Sequence, residues 1–249
     1  MAWLHVVIDV PARLHAPGAR FWSAALGWSP GPPWDGHPEL SSLQPSRGDS
    51  YVHLQQIHGA PRIHVDVASK DPEATVTAAV AAGSEVRNRS QTWVFLFSPG
   101  GLPFCVVTSR PRRAPEPTTW PDGHRSRLVQ VCIDSPVARH EDEVAFWRGL
   151  LGGRWVPSSS QEFAGKWHDD AGSPLQLLFQ RLDEPDGPVR AHLDLGTDGQ
   201  PEEVRRLVEL GAVDLGAGHG GWHVLRDPVG LEFCVTTNAP DQSHHRHLD

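Results

Sequence analysis

The chain has little that would place it among several large protein classes. Among its 249 residues are three cysteines, Cys105, Cys132 and Cys234, with no CxxC pair. That count excludes a disulfide framework and a zinc-finger spacing, and it suits a reducing compartment. No apolar run approaches the ~18–20 residues of a membrane span. The first ten residues, MAWLHVVIDV, carry His5 and Asp9 and no basic lead-in, so no secretory leader is expected. A cytoplasmic protein without a membrane partner is the expectation. Positive charge is also scarce: 22 Lys and Arg against 30 Asp and Glu, a formal charge of −8. Nonspecific nucleic-acid binding needs a cationic surface, so nucleic acid is excluded as a partner class. Tyrosine occurs once, against ten tryptophans.

What is present is globular in character, with 39% hydrophobic and 21% charged residues. The length allows two domains of ordinary size. An internal repeat supports two. Phe21-Trp22 recurs as Phe146-Trp147, an offset of 125. RIHVDV (62–67) recurs as RAHLDL (190–195), an offset of 128, and Phe104-Cys105-Val106 as Phe233-Cys234-Val235, an offset of 129. Trp93 answers Trp222. A repeat of domain length is too long for a solenoid unit. The reading is domain one at 1–108, a Pro- and Arg-rich linker at 109–126 with four prolines, domain two at 127–238, and a His-rich tail at 239–249 expected to be disordered.

Each half shows the same order of elements. In the second, LVQVCID (128–134) reads as a strand, and EDEVAFWRGLLG (141–152) as a helix with Val144, Trp147, Leu150 and Leu151 on one face. PLQLLFQRL (174–182) and RAHLDLG (190–196) read as strands, followed by a helix from Pro201 to Leu210 with Gly211 past its end. WHVLRDPVGLEFCV gives two strands around an Asp-Pro-Val-Gly turn. The first half repeats this, with helices at 16–26 and 72–82.

FW…LGW at 21–28, RAHLDL, LVELGA at 207–212 and WHVLRDPVGLEFCV at 222–235 resemble the vicinal oxygen chelate superfamily, the glyoxalase and bleomycin-resistance fold, over both halves. The resemblance implies an α+β class: tandem glyoxalase-like domains, each two βαβββ units in an open curved mixed sheet with helices outside. It does not select a chemistry, because lyases, isomerases, ring-cleaving dioxygenases and drug-sequestering proteins share this fold. In metal-using members the ligands come from the first and last strand of each unit. Carried over by position, domain two offers Gln130, Gln180, His192 and Glu232, for a divalent Zn, Ni, Mn or Fe, with Glu232 as the catalytic carboxylate. Domain one offers His5, Gln55 and His64, but Pro103 stands where Glu232 would match, so no metal is expected there. These three and His223, beside His219 in GHGGWHV, are candidate ligand-binding residues.

A plain structural alternative stands beside each candidate. A His-x-Asp pair on a strand can satisfy itself by hydrogen bonds to its neighbours. Asp66 and Asp194 read as caps of the following helix or turn, Glu232 as a solvated strand-edge charge, and Cys105 and Cys234 as small buried hydrophobes rather than nucleophiles. Trp22, Trp147, Trp93 and Trp222 read as packing, and Trp28, Trp34, Trp155 and Trp167 as aromatic walls for a flat ligand or as rim packing. Two functions follow: a small-molecule site with metal-assisted lyase or isomerase chemistry in domain two, or metal-free sequestration of a drug or metabolite. The tandem chain is expected to be a monomer or weak homodimer.

Overall fold

In a computed structural model, residues 3–169 and 172–241 are described; the tail beyond Asp241 lies outside them. The first half runs β1 (Trp3–Pro11), α1 (Ala12–Leu26), β2 (Ser29–Trp34), β3 (His37–Gln44), β4 (Val52–Ile57), β5 (Arg62–Ser69), α2 (Pro72–Ala81), β6 (Glu85–Arg89), β7 (Trp93–Phe97) and β8 (Pro103–Thr108). A short β9 (Thr118–Thr119) follows. The second half runs β10 (Arg125–Ser135), α3 (Val137–Leu151), β11 (Arg154–Pro157), β12 (Phe163–His168), β13 (Gln176–Arg181), β14 (Arg190–Thr197), α4 (Gln200–Glu209), β15 (Val213–Ala217), β16 (His223–Arg226) and β17 (Glu232–Thr236). Each half is therefore two βαβββ units. Their sheets have the strand orders β2-β3-β4-β1-β5-β8-β7-β6 and β11-β12-β13-β10-β14-β17-β16-β15, with β9 added beside β10.

The four unit-opening strands sit at the sheet centres and are apolar on one face only. On β1, Leu4, Val6, Ile8 and Val10 join the hydrophobic core, while His5 and Val7 line a cavity on the concave face. On β10, Val131 and Ile133 are core, while Gln130, Cys132 and Asp134 line the second cavity. The period of two in strands dictates this split.

The strands that sequence periodicity does not reveal lie towards the sheet margins. β2 reads SPGPPW, and its exposure pattern has no buried position. Proline lacks the ladder donor and is tolerated at a sheet edge, so a proline-rich stretch here is still a strand. Helices α1 and α3 also begin one turn earlier than expected, directly after Pro11 and Pro136. Pro17 therefore lies inside α1.

The helices cover the outer faces of the sheets, and for α1 and α3 that face is where the halves meet. Phe21 and Trp22 of α1 pack edge-on against Phe233 of β17, at 5.8 and 5.2 Å between ring centres. Phe146 and Trp147 of α3 do the same to Phe104 of β8, at 5.8 and 5.2 Å. Trp22 Nε1 donates to Asp227 Oδ2 at 2.9 Å. Trp147 Nε1 donates to Glu143 Oε1 at 2.8 Å, and Glu143 Oε2 accepts from the Gly100 amide across the interface. The repeated Phe-Trp pairs thus hold each half to the other.

The connecting segment is not a free spacer. Thr118 Oγ1 donates to the Leu26 carbonyl at 2.6 Å, and the Arg206 guanidinium stacks 3.5 Å over the Trp120 ring. Arg125 and Ser126, expected in the linker, already belong to β10. No helix of the described residues is long and apolar enough to cross a membrane.

Candidate functional site

The concave face of the second sheet encloses a cavity of about 990 Å³. Its floor is built around His192 of β14. His192 Nδ1 lies 2.7 Å from Asp134 Oδ2 of β10, and its Nε2 lies 3.4 Å from Asp194 Oδ1. Cys132 and Cys234 flank the ring: Cys132, Asp134 and His192 bring ligand atoms within 4.8 Å of one another, and so do His192, Asp194 and Cys234. Burial opposes a charge on His192, but Asp134 foremost raises its pKa well above the ordinary value. Burial pushes the Cys132 and Cys234 thiols up, so neither is a free thiolate nucleophile. Asp134 Oδ1 and Asp194 Oδ1 are buried and have no hydrogen-bond partner among the described residues. Domain one contributes Arg62, Phe97 and Leu102 to the cavity wall.

The first sheet repeats the constellation. His64 Nδ1 lies 3.0 Å from Asp9 Oδ1 and its Nε2 3.3 Å from Asp66 Oδ1, and Cys105 completes a third cluster with His64 and Asp66. The arginine beside each cluster differs. Arg62 Nε donates to Asp9 Oδ2 at 2.8 Å, whereas its counterpart Arg190 turns to Glu184 at 2.6 Å. The first cavity, about 510 Å³, also holds a relay: Trp34 Nε1 to Ser42 Oγ at 3.0 Å, Ser42 Oγ to His53 Nδ1 at 2.9 Å, and His53 Nε2 to His5 Nδ1 at 3.0 Å. Burial lowers the His53 pKa to about 4 and holds His5 well below its ordinary value. Burial pushes the Cys105 thiol up to about 12.

The sequence candidates are distributed unevenly over this geometry. His192 stands at the centre. Gln130 is buried, but its Nε2 donates to Asp194 and its Oε1 accepts from Gln176. Gln180 Nε2 donates to Glu162 at 2.6 Å, and its Oε1 faces the Cys132 thiol at 3.8 Å. Glu232 borders the cavity at the start of β17, half exposed and paired with Arg226 at 2.8 Å, and it joins none of the three donor clusters. Cys234, two residues deeper on the same face, holds the position near His192. His5, Gln55 and His64 all line the first cavity. His223 does not line the second: strand alternation puts Trp222 and Val224 on the cavity wall, while His223 bonds Asp214 at 2.6 Å.

Several side chains have roles other than those expected. Asp66 and Asp194 face the histidines, and it is Asp71 that caps α2. Trp93 and Trp222 line the two cavities, while Trp28 and Trp167 are buried in the core. Asp9 and Asp134 are site residues that sequence reasoning missed. Their signal was available, because VVID (6–9) and VCID (131–134) stand at the same offset of 125 as the Phe-Trp pairs.

The family model of the glyoxalase-like domain matches residues 5–107 and again 130–236. No curated protein matches the chain. Among solved structures, the Mn(II)-bound glyoxalase from Novosphingobium aromaticivorans aligns over 98% of this chain and 87% of its own, with a TM-score of 0.65 at 17% identity. The 2,3-dioxygenase LapB from Pseudomonas sp. KL28 aligns over 98% of this chain and 94% of its own, with a TM-score of 0.62 at 13% identity. A catechol 2,3-dioxygenase aligns over 98% and 95%, with a TM-score of 0.54 at 15% identity. At such identities these likenesses carry the fold alone.

Proposed function

Because the chain belongs to the glyoxalase-like domain family, represented twice along its length, we propose that it binds a small organic molecule in the cavity of the second sheet, beside a divalent metal held by His192, Asp194 and Cys234. The observation that carries this reading is the convergence of three donors: His192, Asp194 and Cys234 bring ligand atoms within 4.8 Å of one another, and the buried Asp194 Oδ1, 3.4 Å from His192 Nε2, accepts no hydrogen bond among the described residues. The three donors supply one nitrogen, one oxygen and one sulfur, a set compatible with Zn²⁺ and its neighbours. Asp134 on His192 Nδ1 supplies the outer hydrogen bond that would orient a metal-bound imidazole.

When bound, such a metal polarises a carbonyl or enediolate oxygen, the chemistry of glyoxalase-type lyases and isomerases. The chain's own residues do the rest. Asp134 fixes the His192 ring so that Nε2 faces Asp194 and Cys234. Lys166, half-buried on the cavity wall and lowered by burial, is placed to meet an anionic oxygen of the ligand. Phe163 and Trp222, edge-on at 5.8 Å, form an apolar wall for a flat group. Phe97 and Leu102 of domain one help to exclude water. The second sheet already meets its companion within one chain, which favours a monomer or weak homodimer.

Binding without turnover is a second reading, favoured by a specific observation. Gln130, Gln180 and Glu232 are all engaged by protein partners, so the floor is satisfied without a fourth protein ligand. Cobalt titration tests the metal. The wild type should develop a thiolate-to-cobalt charge-transfer band that Cys234→Ser abolishes and Glu232→Gln retains. The histidines of the tail bring no thiol and cannot imitate it. Unchanged bands in His192→Ala and Cys234→Ser would refute the metal. Tryptophan quenching by aromatic metabolites without metal, with the compounds recovered intact, would then favour sequestration.

A further inference from the structure

The cavity of the first sheet has walls of Trp34, Trp93 and Phe95, and most of its charges are paired inside the protein. Asp9 takes His64 and Arg62, Asp66 faces His64, and Glu39 takes His37 at 3.1 Å. Two cations remain. Arg110 and Arg112 both line the cavity, and neither makes an ion pair among the described residues. They come from the segment joining the halves, which the structure holds in place. Asp49 donates its amide to the Arg113 carbonyl at 2.8 Å, and its Oδ2 accepts from the Arg113 amide at 2.6 Å. Arg127 Nη1 donates to the Pro115 carbonyl at 3.0 Å. Gly48, with φ at +84°, is pressed so close to Pro115 that a Cβ there would stand 2.8 Å from its backbone nitrogen.

Arg110 and Arg112 both reach the cavity wall, whereas Arg113 is not among the residues that line it. Burial depresses the Arg112 guanidinium, Asp49 opposes this, and Arg110 adds repulsion. Two like charges are thus held together at the mouth of a cavity. The same cavity holds the relay: the Trp34 indole donates to Ser42 Oγ, Ser42 Oγ shares a hydrogen bond with His53 Nδ1, and His53 Nε2 shares one with His5 Nδ1, which leaves His5 Nε2 outside the relay.

We propose that this cavity is a second ligand site, taking a small aromatic molecule that bears a carboxylate or phosphate. Arg110 and Arg112 clamp the anionic oxygens, and Trp34, Trp93 and Phe95 hold the flat body. The site is independent of the metal and the ligand of the second cavity.

Calorimetric titration of the full chain with benzoate and with phenyl phosphate tests the proposal, and comparing the two probes distinguishes a carboxylate from a phosphate preference. At least one should bind, and Arg110→Gln/Arg112→Gln should weaken it by roughly tenfold or more, the scale of lost charge-assisted hydrogen bonds. The melting temperature of the double variant and its cobalt band should match those of the wild type. Benzylamine, equally aromatic but cationic, should not compete. Failure of the wild type to bind either anion, binding by the double variant within about twofold of wild type, or loss through Lys166→Gln instead would each overturn the proposal.

Discussion

Acidification should destabilise this protein through His53. The ring is 6% exposed, lies on β4 between Ser42 and His5, and is held neutral by burial. Its folded pKa of about 4 lies below the unfolded value of 6.5. In that window the unfolded chain binds a proton that the native state refuses, so stability rises with pH. The contribution is complete above pH 6.5 and is lost as pH falls towards 4. At ~1.36 kcal/mol per pH unit the gap corresponds to about 3 kcal/mol, a large share of the ~5–15 kcal/mol of a typical domain. His5, depressed in the same direction, adds to the slope. The perturbation is His53→Gln, which keeps a polar group between Ser42 and His5 but cannot titrate. Urea unfolding followed by tryptophan fluorescence, across this pH window, measures both proteins. The variant should start lower at neutral pH by about 1–2 kcal/mol for its weakened hydrogen bonds, then lose less on acidification, so that the two curves converge. Curves that stay parallel from pH 6.5 to 4 would refute a neutral, buried His53.

Two further perturbations address how the halves are joined. Asp227→Ala removes the acceptor of Trp22 Nε1 and of the Val229 and Leu231 amides, leaving buried donors unpaired, and should cost roughly 3 kcal/mol in denaturant unfolding. Gly100→Ala would put a Cβ 2.3 Å from Val189 and 2.7 Å from Glu143, so the hairpin must shift; a loss of about 1–3 kcal/mol is expected, and an unchanged melting temperature would contradict the packing.

Much of the fold was legible because it rests on local signals written twice. Gly27 and Gly211 mark helix ends, alternating strands such as RAHLDL show which face is apolar, and the Phe-Trp pair recurs at an offset of 125. The marginal strands β2, β6, β11 and β15 were not legible, because their residues are polar, proline-rich or exposed and their only strand character is pairing with a neighbour. The site was legible in part. His192 and His64 stood out on apolar strands, but Asp9 and Asp134 looked like ordinary strand residues. Their partners are 55 and 58 positions away in sequence. Glu232 and Cys234 share a face of β17, and chemistry favoured the carboxylate. Depth along the strand separates the two: Glu232 reaches water and Arg226 at the rim, while Cys234 lies beside His192.

The sequence by itself determined the duplication, the strand–helix–strand order within each unit and the inward face of each central strand, since these follow from the recurring motifs, periodicity and turn chemistry. The tertiary structure alone decided that each Phe-Trp pair anchors the opposite half, that the connecting segment carries two arginines to the first cavity, and that Arg62 neutralises Asp9 while Arg190 leaves Asp134 partly unpaired. Those outcomes depend on which groups meet across long sequence separations, and a one-dimensional pattern contains no distances.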